Sequence, residues 1–412
     1  MKRRVAVTGI GMVTPLGVGK EKVFPLLLKG SSGIGPISCF DTTEYSVKIA
    51  GECKDFDAKD FINPREISRM DRFCHMALAS AVQAFEDSSL DKHPPQSERF
   101  GIIIGTGIGG IKSFSDEIAN LLEKGPSRVS PFFIPRMIGN MASAQSAILL
   151  KAKGYTSDPC SACASGTNAI GEAFRRIQMG YEDVFIAGGA EACIVPIALA
   201  GFSVMKALSK RNDEPQKASR PFDAERDGFV MAEGAGVVVL EEWDHAIRRS
   251  APIIAEMVGY GASCDAYHIT LPDPSAEGAF SCMKNAIEDA GIAPQEVDYI
   301  NAHGTSTKAN DATESAAIKK YFGEHASQIS IHSTKSMMGH LLGAAGGVEA
   351  AIMALTLQSA KIHPTINLCN PDPECDLNYT PHLMIERQVN YGLSNSFGFG
   401  GHNYSILMKR AT

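Results

Sequence analysis

"CASGTNAIGEAFRRIQMGYEDVFIAGG", residues Cys163–Gly189, decides the fold class. It opens on small residues that let the chain turn sharply. A helical pattern then runs from Ser165 to Met179 and stops at Gly180. The apolar run Asp183–Gly189 follows, with the length of a strand and no polar alternation, as expected of a strand covered on both faces. The unit is therefore turn, helix, strand. Working outward, it recurs. "RVAVTG" (Arg4–Gly9), "FGIIIG" (Phe100–Gly105) and "GVVVLE" (Gly236–Glu241) read as strands. A second series begins at Pro252, Val297, Gln328 and Tyr391. Between them lie helical patterns: one behind Asp71, a candidate N-cap, then Ser275–Ala290 with Gly291 as stop, and Leu341–Ala360. This alternation predicts an α/β protein with mostly parallel sheets.

The pattern also looks duplicated. "ERFGIIIGTG" and "EVDYINAHGT" are both strands ending in a glycine-threonine step. "CASGTNAIGEAFRRIQMG" and "GHLLGAAGGVEAAIMALTLQ" each set a reactive residue just ahead of a helix of small residues. Two halves of one topology, 1–250 and 251–412, are expected, packed without a flexible linker.

The chain has 412 residues, 44% hydrophobic and 21% charged, as in ordinary globular proteins. A net charge of -7 argues against a general nucleic-acid binder. No apolar run is long enough to span a bilayer, and the apolar start is broken by Thr8, Gly9 and Gly11, so it reads as strand and turn rather than signal peptide. Ten cysteines are too sparse for a disulfide framework and fit reduced, mostly buried thiols in the cytoplasm.

Cys160 and Cys163 sit three apart, but no second Cys or His pair lies near enough to complete a zinc site. Cys163 reads either as a small buried side chain or as a nucleophile. Its place before a helix, where free N–H groups and the dipole favour an anion, predicts a lowered thiol pKa. Cys160 has no such setting and reads as packing. Of eleven histidines, His75, His93 and His245 read as structural. His303, at a strand's C-terminal end in "NAHGTST", and His340, in "KSMMGHLLGAAGG", are flanked by glycines and stand as equal candidates for catalysis or structure. Lys335, Asp311, Glu314 and Glu349 fit either a site or a salt-bridge network. "NSFGFGGHN", Asn395–Asn403, is a tight loop between strands and lacks the ending of a P-loop.

Taken in order, "CSACASG", "NAHGTSTKAND", "KSMMGHLLGAAGGVE" and "NSFGFGGHN" resemble the motifs of β-ketoacyl-acyl-carrier-protein synthases of the thiolase fold, specifically the elongating type II condensing enzymes. The resemblance covers nearly the whole chain. It implies two duplicated α/β halves in a layered α-β-α-β-α core, the first carrying the nucleophilic Cys and the second the two His and the glycine-rich loop. It also implies decarboxylative condensation of malonyl-carrier protein with an enzyme-bound acyl thioester. Cys163 would be the acyl acceptor, His303 and His340 the decarboxylation pair, Lys335 the lysine behind them, and Asp311 and Glu349 polar support. Phe399 would be the gating aromatic, its N–H sharing an oxyanion hole with that of Cys163. Ile108, Phe202, Thr305 and Thr307 would bind substrate, with Phe133 arriving from the partner of a homodimer. Arg65, Arg69, Lys124, Arg128 and Lys206 would dock an acidic acyl carrier protein. The resemblance implies no redox cofactor or catalytic metal, no nucleic acid and no membrane. It admits a structural monovalent cation near Asn301, Glu349, Ser394 and Asn395. His402 departs from the threonine common in relatives. A cysteine hydrolase, a polyketide ketosynthase and a non-catalytic subunit of the same fold are the alternatives.

Overall fold

A computed structural model describes residues 2–411. Ten strands lie on one hydrogen-bonded path and fall into two sets. The first holds β1 (Val5–Thr14), β2 (Phe100–Gly105), β3 (Thr156–Ser157), β4 (Val184–Glu191) and β5 (Gly234–Glu242), in the order β1-β5-β4-β2-β3. The second holds β6 (Ala255–Cys264), β7 (Tyr299–Asn301), β8 (Ser330–His332), β9 (Tyr391–Gly398) and β10 (His402–Arg410), in the order β6-β10-β9-β7-β8. The orders are identical strand for strand. In each set the last strand lies antiparallel between two neighbours, and the other pairs are parallel. A short antiparallel pairing of Val5–Val7 with Ala255–Met257 joins the sets.

The sheets are thus mixed rather than mostly parallel. A parallel neighbour needs a crossover long enough to return the chain. β9 and β10 are joined by Phe399–Gly401 alone, which permits only a hairpin. Apolar runs alone do not carry direction.

Five helices build the layers: α1 (Arg72–Asp87), α2 (Ser165–Gln178), α3 (Glu277–Ala290), α4 (Lys308–Phe322) and α5 (Ala345–Ser359). Side chains alternate across each strand, so each sheet feeds two cores. Val238, Leu240, Phe185 and Ala187 pack inward with Ala169, Phe174 of α2 and Val348, Ile352 of α5. Their neighbours Val237, Val239, Val184 and Ile186 pack outward on Phe73, Ala77 and Ala81 of α1. In the second set Ile300, Ile331, Leu393 and Leu407 pack outward on α3 and α4. The result is α1, sheet, α2 with α5, sheet, α3 with α4: the expected five layers.

The middle layer is where sequence and packing are most tightly tied. Every residue of α5 from Ala345 to Leu357 is buried. A Cβ on Gly166 of α2 would fall 2.8 Å from the backbone nitrogen of Gly347 on α5, so the two helices cross where neither has a side chain. The small-residue pattern of the two repeats is the means by which the central helices approach.

Three local expectations differ in detail. Glu277 and Ala345 begin helices slightly later than predicted, the latter after a tight turn at Leu342–Ala344. Asp71 stands at the N-cap of α1 but does not cap it. Its carboxylate accepts instead from the backbone and hydroxyl of Ser113, at 2.9 and 2.6 Å.

Candidate active site

Strand ends position the site. β2, β4, β7, β8 and β9 all end at one edge of the layers, the usual place for a ligand in parallel α/β sheets. Beyond them lies a cavity of about 560 Å³. Cys163, His303 and His340, more than a hundred residues apart in places, all line it, together with Phe397, Gly398 and Phe399.

Cys163 sits in the tight turn Ala162–Ala164 that opens α2. Ala162 takes a left-handed conformation, φ 51°, which bends the chain and aims the sulfur outward. Phe399 lines the same cavity as Cys163, and the N–H groups of Phe399 and of Cys163 itself both favour an anionic sulfur. β9 delivers Phe399: a Cβ on Gly398 would fall 2.4 Å from the carbonyl oxygen of Ser161, so only glycine lets the loop close on the turn.

The thiol corrects one expectation. Helix position predicts a lowered pKa, but burial dominates and pushes the Cys163 thiol up to about 12. Lys335 and the two N–H groups act against that, and Glu191 with it. The resting group is therefore a neutral thiol at physiological pH. Its proton must leave as the sulfur attacks.

The two imidazoles are suited to take it. Burial, then the charge of Lys335, holds both His303 and His340 well below the ordinary histidine range, and His340 depresses His303 further. Both are neutral near pH 7. The rings stand edge to face with centroids 5.4 Å apart. Lys335 Nζ lies 3.5 Å from His303 Nδ1. An ammonium can only donate, so Nδ1 accepts and the proton of His303 resides on Nε2. The His303 backbone is fixed by Glu314, whose carboxylate accepts from the N–H groups of His303 and Gly304, each at 2.9 Å. His340 is held by the other half of the chain: its N–H donates to the carbonyl of Val230 at 2.7 Å and its carbonyl accepts from Ala232 at 2.9 Å.

Lys335 and Glu349 form a buried ion pair at 2.5 Å. Burial holds the Glu349 carboxyl up at about 6 despite the ammonium beside it. Asp311 lies behind the cavity, where it accepts from the Phe222 N–H at 2.9 Å and faces Arg226 at 3.5 Å. Lys335 and Glu349 thus form one pair against His303, and Asp311 belongs to a separate pair with Arg226.

Of the remaining expected residues, Ile108, Phe202, Thr305, Thr307 and Lys206 line the cavity. The hydroxyls of Thr305 and Thr307 lie 2.9 Å apart. Phe202 stacks edge-on with Phe229, which in turn meets the His340 ring. Phe133 does not line this cavity; it stacks on Phe114 at 6.2 Å on a surface segment rich in exposed apolar side chains. Arg65, Lys124 and Arg128 are exposed, and Arg69 is drawn to Glu66 at 2.9 Å. Cys160 is exposed, not packed, because the chain surfaces just before the nucleophile turn. All ten cysteines are free. His75 and His245 are spoken for by Ile67 and Glu241, as structural histidines should be.

One residue of this site carries no reading in the sequence. Glu191 ends the apolar strand β4 and is wholly buried; an acid closing an apolar strand was the available signal.

Among the described residues no helix is long and apolar enough to cross a membrane, and no three His, Cys, Asp or Glu are arranged to hold a metal.

Fold and site together describe a condensing enzyme of two fused repeats, and comparisons with known proteins agree. The model of the beta-ketoacyl synthase N-terminal domain matches residues 2–246, and that of the C-terminal domain matches residues 254–369. A 3-oxoacyl-[acyl-carrier-protein] synthase 2 of Synechocystis sp. is 52% identical over 99% of this chain and 98% of that relative. One of Staphylococcus aureus is 48% identical over the same shares. Among solved structures, a type II PKS acyl-carrier protein in complex with its ketosynthase, bound to the hexaketide, matches with TM-score 0.93, 33% identity and full coverage of both chains. A beta-ketoacyl synthase of Burkholderia phymatum matches with TM-score 0.93, 34% identity and full coverage. The chain belongs to the beta-ketoacyl synthase family.

Proposed function

We propose that the protein is a 3-oxoacyl-[acyl-carrier-protein] synthase, an acyltransferase that lengthens fatty acyl chains by two carbons in the cytoplasm. The observation that carries this reading is one cavity lined by Cys163, His303, His340 and Phe399 together.

Cys163 attacks the thioester carbon of an acyl-carrier protein. Its proton passes to a neutral imidazole and from there to the departing pantetheine sulfur. This divides one hard condensation into two steps. Malonyl-carrier protein then enters. The bond to its carboxylate breaks, CO2 leaves, and the electron pair passes to the thioester oxygen as an enolate. His303 Nε2–H and His340 donate to that oxygen. The enolate carbon attacks the acyl carbonyl, whose developing charge rests on the N–H groups of Cys163 and Phe399; the Cys163 sulfur leaves as a thiolate and takes up a proton from solvent to restore the resting thiol. One oxyanion donor of this kind contributes roughly 3–4 kcal/mol. Lys335 acts on His303 by fixing its tautomer and neutrality, and Glu349 by balancing Lys335.

Ile108, Phe202, Thr305 and Thr307 contact acyl and pantetheine groups, and Lys206, at the cavity, leads the basic residues that meet the acidic carrier protein. A homodimer is supported by the exposed apolar side chains Phe114, Ile118, Leu121, Phe132 and Ile134 near Phe133. The partnerless buried atoms Glu349 Oε2 and Ser394 Oγ suit a small monovalent cation, with Asn301 beside them in the sheet. The Asn395 side chain is committed to Glu314 and Ser405 and adds no ligand.

The test is mass spectrometry of acyl- and malonyl-carrier proteins incubated with the enzyme. Product two carbons longer with release of CO2 is expected, and Cys163→Gln abolishes it without loss of fold. Free acid without CO2 would mean a hydrolase instead.

A further inference from the structure

The nucleophile turn has a counterpart. Ala162, φ 51°, opens the turn ahead of α2; Leu342, φ 47°, opens an equally short turn ahead of α5. Cys163 and Gly343 therefore hold equivalent places in the two halves. Each turn also meets a strand end from the opposite set. Gly398, closing β9, stands against Cys163. Glu191, closing β4, accepts from the Gly343 N–H at 3.0 Å.

The two places differ in what occupies the donors. Around Cys163 the N–H groups are left for a developing oxyanion. Around Gly343 a protein carboxylate already sits in that role. Glu191 Oε2 also accepts from the Gly107 N–H at 2.8 Å, and Oε1 from the Thr106 hydroxyl at 2.8 Å and the Ile108 N–H at 3.2 Å. All four partners are neutral donors. Glycine is required on both sides: a Cβ on Gly343 or on Gly107 would come within 2.8 or 2.9 Å of Glu191 Oε2. The clamped segment is flexible by composition, since Gly105, Gly107, Gly109 and Gly110 surround Ile108; its other ties are Thr106 N–H to Asp158, Gly109 N–H to the Thr106 hydroxyl and Gly110 N–H to the Met137 carbonyl. Ile108 itself reaches into the cavity.

We propose that Glu191 is a positioning residue for acyl binding: an internal anion, seated in the second half's counterpart of the nucleophile turn, that holds Thr106–Ile108 in the conformation shaping the acyl space. The inference rests on the condensing-enzyme reading above. Three N–H groups and a hydroxyl lose their acceptor together when the carboxylate is removed, and Gly107 and Ile108 lose the contacts that fix them. The long end of an acyl chain, which depends on the cavity wall, feels this more than a short one.

Glu191→Gln keeps the shape but turns an amide NH2 toward donors. Glu191→Ala opens a hole that formate can fill. kcat and KM are measured with short-chain and long-chain acyl-carrier proteins, with and without tens of millimolar formate, beside melting temperature. The expected result is a fall in kcat/KM of at least about tenfold for the long chain, mostly in KM, a smaller fall for the short chain, and partial recovery of Glu191→Ala in formate. Should the alanine variant not fold, Glu191→Gln supplies the chain-length comparison alone. A parent-like length profile in Glu191→Gln overturns the proposal. So does an equal loss at every length that tracks melting temperature and ignores formate. A parent enzyme that elongates nothing overturns the condensing-enzyme reading instead.

Discussion

Replacing Lys335 by Met leaves the aliphatic stem but removes the ammonium 2.5 Å from Glu349 and 3.5 Å from His303. The two ionic side chains are only 1% and 3% exposed, so no water rescues the stranded carboxylate. Its second oxygen already has no partner. Removing one member of such a buried pair costs about 3–5 kcal/mol. Unfolding entropy of roughly 2.1 cal/mol/K per residue over 412 residues is about 0.9 kcal/mol/K. The melting temperature should therefore fall by about 3–6 °C. The sign of the pH dependence follows from Glu349. Its native carboxyl stands at about 6, above the ordinary 4.5, so the native state binds the proton more tightly than the unfolded chain. That contribution is favourable at low pH and is lost as pH rises through this window. Without Lys335 the native value climbs further, and the loss continues to higher pH. The deficit of Lys335→Met relative to the parent should therefore be larger at pH 8 than at pH 5.5. Adding Glu349→Gln removes the stranded charge and should return most of the lost stability. It should not return decarboxylation of malonyl-carrier protein, because His303 Nδ1 still lacks its donor. Thermal melts across pH and CO2 release measure both. A deficit that is flat with pH, or a double variant no more stable than the single one, would refute the argument.

Alkylation of Cys163 by iodoacetamide should accelerate about tenfold per pH unit from neutrality to pH 10 without levelling, since only the thiolate reacts and burial pushes the thiol up to about 12; a plateau near pH 8 would contradict this. Gly166→Ala sets a Cβ 2.8 Å from the Gly347 nitrogen and 2.9 Å from the Gly343 carbonyl oxygen. Forcing α2 and α5 apart should cost about 1–3 kcal/mol and slow elongation, because the Cys163 turn opens α2; an unchanged melt and rate would show the crossing to be slack.

Much of this molecule is legible from short stretches. The strand that Asp183–Gly189 predicts is β4, and the helix after Cys163 is α2, because periodicity and glycine stops are set within a few residues. The duplication was legible too, and the strand orders of the two sets repeat it. Strand direction was not: it depends on connection length and on which neighbour a strand finds. The cavity gathers Cys163, His303 and His340 from motifs that each carried its own glycine signature. Glu191 offers only an acid at the end of an apolar strand, since its meaning lies in four partners up to 152 residues away.

The repeating units, the small residues that let central helices meet and the few side chains able to do chemistry are all readable along the chain. Those are local matters of sterics and of side-chain type. The charge each group carries is set by packing in three dimensions. Helix position alone predicts that Cys163 ionises easily; buried at the cavity wall it is a neutral thiol. Lys335 and Glu349, fourteen residues apart, became an ion pair against His303 only when β8 and α5 came together. Desolvation depends on every neighbour at once, and neighbours are chosen by folding rather than by order along the chain.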